Sequence, residues 1–153
     1  MIINNLAVGV PPTIGDLEDL ANCGNYLPNS TYQYATLLVE HFDQKNIETA
    51  TKVMWCESRN KTEAFRYQDF DSGLFQVIPS TWGWVKDKHN IPYWDYPIGN
   101  SYAQHIPKYN IQVAALLVQD MHTRDNYWKP WNSSKFCWEN TDEWIERWQS
   151  ENW

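Results

Sequence analysis

The sequence predicts an α+β fold that is mainly helical and contains one short β-hairpin. Three stretches, near residues 31–42, 46–56 and 110–122, carry apolar residues at the spacing of an amphipathic helix. Residues 60–73 show no sustained period and end in the turn-forming tripeptide Asp71-Ser72-Gly73, which indicates turns and a short hairpin. No apolar run approaches the roughly 18 residues that span a bilayer, so we expect no contact with a membrane.

The chain has 153 residues, which is the length of one domain. It contains no internal repeat and no Gly/Ser linker, whereas residues 4–29 are rich in Asn, Pro and Gly. We therefore predict an irregular N-terminal arm over residues 1–29 and a single domain over residues 30–153.

Residues typical of helix ends predict the bounds of the first three helices. Ser30 is a suitable N-cap for a first helix that ends at Phe42. A second helix begins near Asn46 and ends around residues 56–59, where polar residues interrupt its apolar stripe. Pro79 suits the first turn of a third helix, because a helix needs no amide hydrogen at that position.

Residues 91–109 are rich in Pro and Tyr and predict an ordered loop with little regular structure. The helix that follows, from Asn110 to about His122, has few charges and is predicted to be buried. Thr141 is predicted to cap a last helix that has acidic residues in its first turn. That helix should turn three side chains inward: Trp144, Ile145 and Trp148.

The net charge of −7 is unevenly distributed along the chain. Residues 1–43 carry −5 and residues 136–153 carry −4, whereas residues 44–135 carry +2. The acidic balance argues against a nucleic-acid partner. Aromatic residues make up 16% of the chain, with 10 Trp and 9 Tyr. These side chains combine an apolar ring with a polar edge and suit the walls of a sugar-binding cleft as well as a core.

Cysteine and histidine show no metal-binding pattern. The three cysteines form no CxxC pair, and the four histidines are scattered without an HExxH motif. We therefore predict no metal and no cofactor.

Two carboxylates in unlike settings suggest glycosidic bond cleavage. Glu57 follows Met54 and Trp55 near the end of the second helix, and apolar neighbours would raise the pKa of its carboxyl, as a general acid requires. Asp71 lies beside Ser72 and Gly73, a polar setting in which a carboxylate stays ionised. Glycosidases use such a pair, one group to protonate the leaving oxygen and the other to stabilise or attack the sugar.

The ordered motifs around these acids resemble the active-site core of the lysozyme-like superfamily. That superfamily includes animal and goose-type lysozymes, lytic transglycosylases and resuscitation-promoting factors. The matching strings are Cys56-Glu57-Ser58, Gly73-Leu74-Phe75-Gln76-Val77, Ser80-Thr81-Trp82, Asn110-Ile111-Gln112 and Trp128-Lys129-Pro130-Trp131 followed by Cys137. The region that resembles this core runs from about residue 46 to residue 137, about 60% of the chain.

The resemblance implies a lysozyme-like fold in which the short hairpin lines the substrate cleft. It implies that Glu57 is the general acid/base and Asp71 the second carboxylate, and that a disulfide joins Cys56 and Cys137 and leaves Cys23 free. It also carries over three substrate contacts, Gln76, Thr81 and Trp82. Composition and position add two more, Trp84 and Tyr109.

Three functions remain open at this point. A muramidase would hydrolyse the β-1,4 bond between N-acetylmuramic acid and N-acetylglucosamine with Glu57 and Asp71, and the presence of Asp71 favours this hypothesis. A lytic transglycosylase would use Glu57 alone and leave a 1,6-anhydro product. A non-catalytic module would only bind peptidoglycan or a related amino-sugar polysaccharide.

The resemblance also sets expectations about place and assembly. We expect a monomer that acts on the cell wall from an extracellular, periplasmic or virion-associated position, where a disulfide is stable. Met1–Pro12 lacks the positive region and the long apolar region of a signal peptide. Release by phage or viral lysis, or a removed leader, would account for that.

Overall fold

A computed structural model describes residues 34–91, 103–121 and 127–151 of the chain. These residues form six α-helices and one two-stranded antiparallel sheet, which confirms the mainly helical α+β class. The described residues fall into two compact units, one within Met1–Cys56 and Ser133–Trp153 and the other within Glu57–Asn132. The N-terminal arm and Cys23 lie outside the described residues, and the single domain over residues 30–153 stays a prediction.

The described elements follow one another in a fixed order. They are α1 (Ala35–His41), α2 (Gln44–Ser58), β1 (Phe65–Arg66), β2 (Asp71–Ser72), α3 (Pro79–His89), α4 (Pro107–Met121), α5 (Lys135–Trp138) and α6 (Thr141–Glu151). Short 3₁₀ helices cover Ala103–His105 and Lys129–Ser134. Within the described part of the chain, no helix is both long and apolar enough to cross a membrane.

The first unit has an aromatic core. The predicted apolar stripe of α2 is buried, and Trp55 packs edge-to-face on Trp144 with their ring centroids 5.9 Å apart. Trp148 stacks on Trp144 at 6.3 Å. The expectation that Trp144 and Trp148 turn inward is confirmed, because a helical spacing of four residues places them on one face, whereas Ile145 is only half-buried.

The cap of α6 differs from the prediction. The Oδ1 atom of Asn140 accepts a hydrogen bond from the Glu143 amide at 3.1 Å, which makes Asn140 the capping residue instead of Thr141. The Thr141 hydroxyl instead accepts a hydrogen bond from the Lys52 ammonium at 3.1 Å. Asp142 and Glu143 do occupy the first turn, as predicted.

The buried helix α4 begins three residues earlier than predicted. Pro107 takes the start of the helix, so the end of the expected loop over residues 91–109 is a 3₁₀ turn followed by helix. Proline favours a first turn for the same reason at residue 107 as at residue 79. Five apolar residues of α4 are buried, namely Ile111, Val113, Ala114, Leu117 and Val118, whereas Ala115, Leu116 and Met121 are half-buried.

Charged contacts fasten α3 to α4 in the second unit. The Asp120 carboxylate, which is almost fully buried, lies 3.0 Å from the Lys88 ammonium and 3.0 Å from His89 Nε2. Helix α3 begins at Pro79, as predicted, and ends at His89, where Asn90 takes a left-handed conformation with φ +54°. These contacts set the orientation of the helix that follows the hairpin.

Candidate active site

Glu57 occupies the last turn of α2 and is half-buried. The helix ends just after it, because Arg59 and Asn60 both adopt left-handed conformations with φ +53° and +61°. The Lys61 amide then donates a hydrogen bond to the Ser58 carbonyl at 3.1 Å, which turns the chain toward the hairpin. Glu57 is therefore held on a rigid helix end, and part of its side chain is accessible.

The hairpin places Asp71 opposite Arg66. Strands β1 and β2 pair in the register Phe65↔Ser72 and Arg66↔Asp71. Arg66 Nε donates to Asp71 Oδ1 at 3.0 Å, and Nη2 donates to Asp71 Oδ2. Asp71 is only 2% exposed, and both of its oxygens are engaged by the guanidinium.

Glu57 acts electrostatically on the same guanidinium. The hydrogen bond that Arg66 donates to Asp71 is the main cause that raises the pKa of Arg66 above its usual value, and the charges of Asp71, Glu57 and Asp69 add to it. Burial opposes the shift but does not cancel it. Arg66 therefore stays charged across the working pH range and lies within the field of both predicted catalytic acids.

The segment after β2 depends on Gly73. Its φ is +81°, and a Cβ atom at this position would lie 2.2 Å from both Asn110 Nδ2 and the Gln104 carbonyl oxygen. A side chain of any kind would therefore clash with α4 and with the preceding 3₁₀ turn. Glycine is required here for close approach as well as for its backbone conformation.

The amide group of Gln76 is used to hold the chain turn. Its Nε2 donates to the Ala64 and Gly73 carbonyls, both at 2.9 Å, and its backbone is left-handed with φ +48°. Both amide hydrogens are thereby satisfied, and Oε1 is the atom through which Gln76 can meet a ligand. Gln76 is half-buried, and because both of its amide hydrogens are engaged, its predicted substrate role is compatible only with accepting a hydrogen bond.

Phe75 is held through its backbone on both sides. Its amide donates to Asn110 Oδ1 at 2.8 Å, and its carbonyl accepts from Trp131 Nε1 at 2.8 Å. Asn110 is completely buried and also donates from Nδ2 to the Ser72 and Gln104 carbonyls, at 3.1 and 2.9 Å. These bonds fix the Gly73–Val77 segment next to the hairpin.

Two tryptophans predicted to contact substrate lie in different environments. Trp82 is 2% exposed and belongs to the core, so little of its ring is open to the predicted substrate contact, which stays a prediction. Trp84 is 42% exposed, and the Lys88 ammonium lies over its ring, 5.0 Å from the centroid. Residues two apart on a helix differ by about 200° in direction, which explains why only one can face outward.

The other two predicted contacts lie in the first turns of two helices. Thr81 lies in the first turn of α3 and Tyr109 in the first turn of α4, and both are half-buried. The partial exposure of both side chains is compatible with contact with a ligand.

The disulfide implied by the resemblance is present. Cys56 and Cys137 are joined, with their Cα atoms 6.0 Å apart. Cys56 directly precedes Glu57, and the bond closes a loop that contains the whole second unit, Glu57–Asn132. It ties the helix that carries Glu57 to the C-terminal part of the chain.

Three residues contribute to the site in ways that the sequence did not reveal. Arg66 pairs with Asp71, and its place five residues earlier in a predicted hairpin was the available signal. Asn110 and Trp131 belong to the motifs that carry the resemblance, but their partners lie 35 and 56 residues away in sequence. No local pattern identifies partners at such separations.

Comparison with protein families identifies the chain. Residues 40–137 match the family model of the transglycosylase SLT domain, which is more than half of the sequence. The chain belongs to this family. It is therefore a lysozyme-like enzyme of the lytic transglycosylase type, and its substrate class is peptidoglycan. Comparisons with curated proteins and with solved structures found no match. The matched range contains Glu57, the hairpin and both cysteines of the disulfide.

Proposed function

We propose that the protein is a lytic transglycosylase in which Glu57 is the only catalytic carboxylate. The observation that carries this proposal is the pairing of Asp71. A nucleophile or a stabiliser of an oxocarbenium-like centre needs an oxygen that is open to the sugar. Asp71 is almost completely buried, and both of its oxygens accept hydrogen bonds from Arg66.

The proposed reaction needs one acid/base group. Glu57 donates its proton to the glycosidic oxygen as the bond from C1 of N-acetylmuramic acid breaks. The resulting carboxylate then takes the proton from the C6 hydroxyl of the same sugar, whose oxygen attacks C1. The product is a 1,6-anhydro sugar, no water is consumed, and Glu57 ends protonated as it began.

The half-buried position of Glu57 supports this role. A rigid helix end limits the motion of its carboxyl group, while its partial exposure leaves room for the glycosidic oxygen. The charged Arg66 nearby stabilises the carboxylate that forms during the first step. Arg66 therefore has a double role in the proposal, as partner of Asp71 and as a cation near Glu57.

Four residues are proposed as substrate contacts. Gln76 would accept a hydrogen bond through Oε1 from an N-acetyl amide or a hydroxyl of the glycan. Trp84 would pack its exposed ring against a sugar face. Thr81 and Tyr109, which lie in the first turns of α3 and α4, would add hydroxyl contacts.

The test is mass spectrometry of fragments released from purified peptidoglycan. We expect fragments that are one water lighter than hydrolysis products, and no release by Glu57→Gln. Glu63→Gln is the matched control, because Glu63 is an exposed glutamate of the same unit and should keep full activity.

Other outcomes would identify the competing functions. Fragments with reducing ends would mean hydrolysis and would restore the muramidase hypothesis. Binding to the wall without any release would mean a glycan-binding module. Retained activity in Glu57→Gln would overturn the assignment of the acid.

We further propose that the enzyme acts as a monomer outside the cytoplasmic membrane, in an extracellular, periplasmic or virion-associated position. Its substrate lies there, and the Cys56–Cys137 disulfide is typical of an oxidising compartment. Labelling of free thiols in protein recovered from its native source tests the proposed compartment. A fully reduced pair would contradict it.

A further inference from the structure

Three exposed aromatic side chains form a cluster on the hairpin. Phe65 is 41% exposed, Tyr67 83% and Phe70 57%. The ring of Phe65 meets that of Tyr67 edge-to-face at 4.9 Å and that of Phe70 at 6.1 Å. We call these residues the hairpin aromatic cluster. Large apolar side chains that group together in water usually mark a binding surface.

The backbone of Phe70 points to a function for the cluster. Its φ is +57°, a left-handed conformation that is unfavourable for a bulky side chain and that Gly or Asn adopts readily. Because the ring is mostly exposed, burial in the core does not repay this strain. Strain that folding does not require is typical of a residue retained for binding.

The hairpin aromatic cluster and the Arg66–Asp71 ion pair lie on the same hairpin. Phe65 and Tyr67 flank Arg66, and alternate residues of an extended chain point to opposite sides. Arg66 turns toward buried Asp71, whereas its two aromatic neighbours meet each other at the surface. The surface is thus continuous with the strand that carries the guanidinium acted on by Glu57.

We propose that the hairpin aromatic cluster is a stacking subsite for the glycan strand of peptidoglycan, separate from the sugars that react at Glu57. The choice of this substrate class rests on the proposed function. The C–H faces of pyranose rings pack well on aromatic rings, and tilted neighbouring rings offer several such faces. Exposed Arg66 and Asp69, which lie 3.6 Å apart, supply hydrogen-bonding groups beside the rings.

Charge and size disfavour other occupants. Residues 65–72 carry one Arg and two Asp, a net charge of −1, which repels an anionic lipid surface. A stable dimer buries about 800 Å² on each partner. Three side chains of about 150–250 Å² each, already partly covered by one another, fall short of that area. A neutral N-acetylated sugar strand fits both conditions.

The experiment measures co-sedimentation with purified insoluble peptidoglycan in a Glu57→Gln background, so that no substrate is consumed. The variants are Phe70→Asn and Tyr67→Ala, and Phe136→Ala is the matched control, an exposed phenylalanine of the other unit. We expect about tenfold weaker binding for each hairpin variant, corresponding to about 1.4 kcal/mol, and unchanged binding for the control. We also expect Phe70→Asn to melt at the same temperature or higher, because Asn relieves the left-handed strain.

Several results would overturn the proposal. Unchanged binding by both hairpin variants would remove the subsite. A lower melting temperature for Phe70→Asn, with weaker binding that follows it, would make the role structural. Sedimentation with anionic vesicles that both hairpin variants abolish would assign the surface to lipid. A dimer in ultracentrifugation that both hairpin variants abolish would assign it to a second copy of the chain. Failure of the proposed function is separate, because it would appear in the fragments released by the wild type and not in these binding measurements.

Discussion

Arg66 and Asp71 face each other across the hairpin and form a two-point hydrogen-bonded ion pair. The carboxylate is buried, whereas the guanidinium side chain is half exposed. Each partner is therefore left in a different state when the other side chain is removed. A half-exposed guanidinium can be solvated, but a buried carboxylate cannot.

This asymmetry predicts different losses for the two single variants. Asp71→Asn should lower the free energy of unfolding by about 1–3 kcal/mol, because Arg66 regains water. Arg66→Met should cost about 3–5 kcal/mol, because it leaves the Asp71 charge buried without a partner. Urea unfolding measures both. Folded Asp71→Asn should still release anhydro fragments, and a folded variant that released none would show that Asp71 takes part in the chemistry.

Two glycines of the second unit should respond to alanine in opposite ways. Gly73→Ala places a methyl group against Asn110 and the Gln104 carbonyl at a left-handed position, so we expect a loss of about 2–5 kcal/mol. In Gly83→Ala, the added methyl group inside α3 has no neighbouring atom within 4 Å, so we expect the free energy of unfolding to rise by about 0.5–1 kcal/mol. Thermal unfolding of the pair checks both. Equal effects would contradict the close approach of Gly73 to α4.

The disulfide should contribute strongly to stability because the loop it closes is long. Cys56 and Cys137 are 81 residues apart. For a loop of this length, restriction of the unfolded chain corresponds to about 4.5 kcal/mol. We expect Cys56→Ser/Cys137→Ser to lose stability of that order, with Cys23→Ser as the control that keeps the bond. Equal unfolding midpoints for oxidised and reduced wild type would contradict the prediction.

The buried phenol of Tyr34 should make the protein less stable at alkaline pH. It is buried in the first unit, and burial raises the pKa of its phenol above the usual 10.0. The folded protein then holds this proton more tightly than the unfolded chain does. Its contribution is complete below pH 10 and is lost as the pH rises from there through the raised pKa.

The measurement compares unfolding free energies of the wild type and Tyr34→Phe between pH 8 and 11. The difference between them should change above pH 10 and stay constant below it. Tyr67→Phe, at an exposed tyrosine, is the control for general effects of removing a phenol. A difference that does not vary with pH would contradict the assignment to Tyr34.

Local patterns in the sequence were sufficient for most of the elements. The apolar stripe of α2 and the proline before α3 predicted those helices, because both signals act within one or two turns of the chain. Asp71-Ser72-Gly73 predicted the hairpin for the same reason. The start of α4 was missed although Pro107 carries the same signal as Pro79, because the preceding Pro/Tyr stretch favoured a loop.

The sequence by itself also determined which residues belong to the motif set, including Glu57 at a helix end and the two cysteines of the disulfide. Only the tertiary structure decided what those residues do. It buried Trp82 and exposed Trp84, since a helix stripe shows which residues share a face but not which face meets the core. It also turned Asp71 toward Arg66 and gave Asn110 its three partners. A hydrogen bond depends on where distant parts of the chain meet, and the packing of the core sets that meeting.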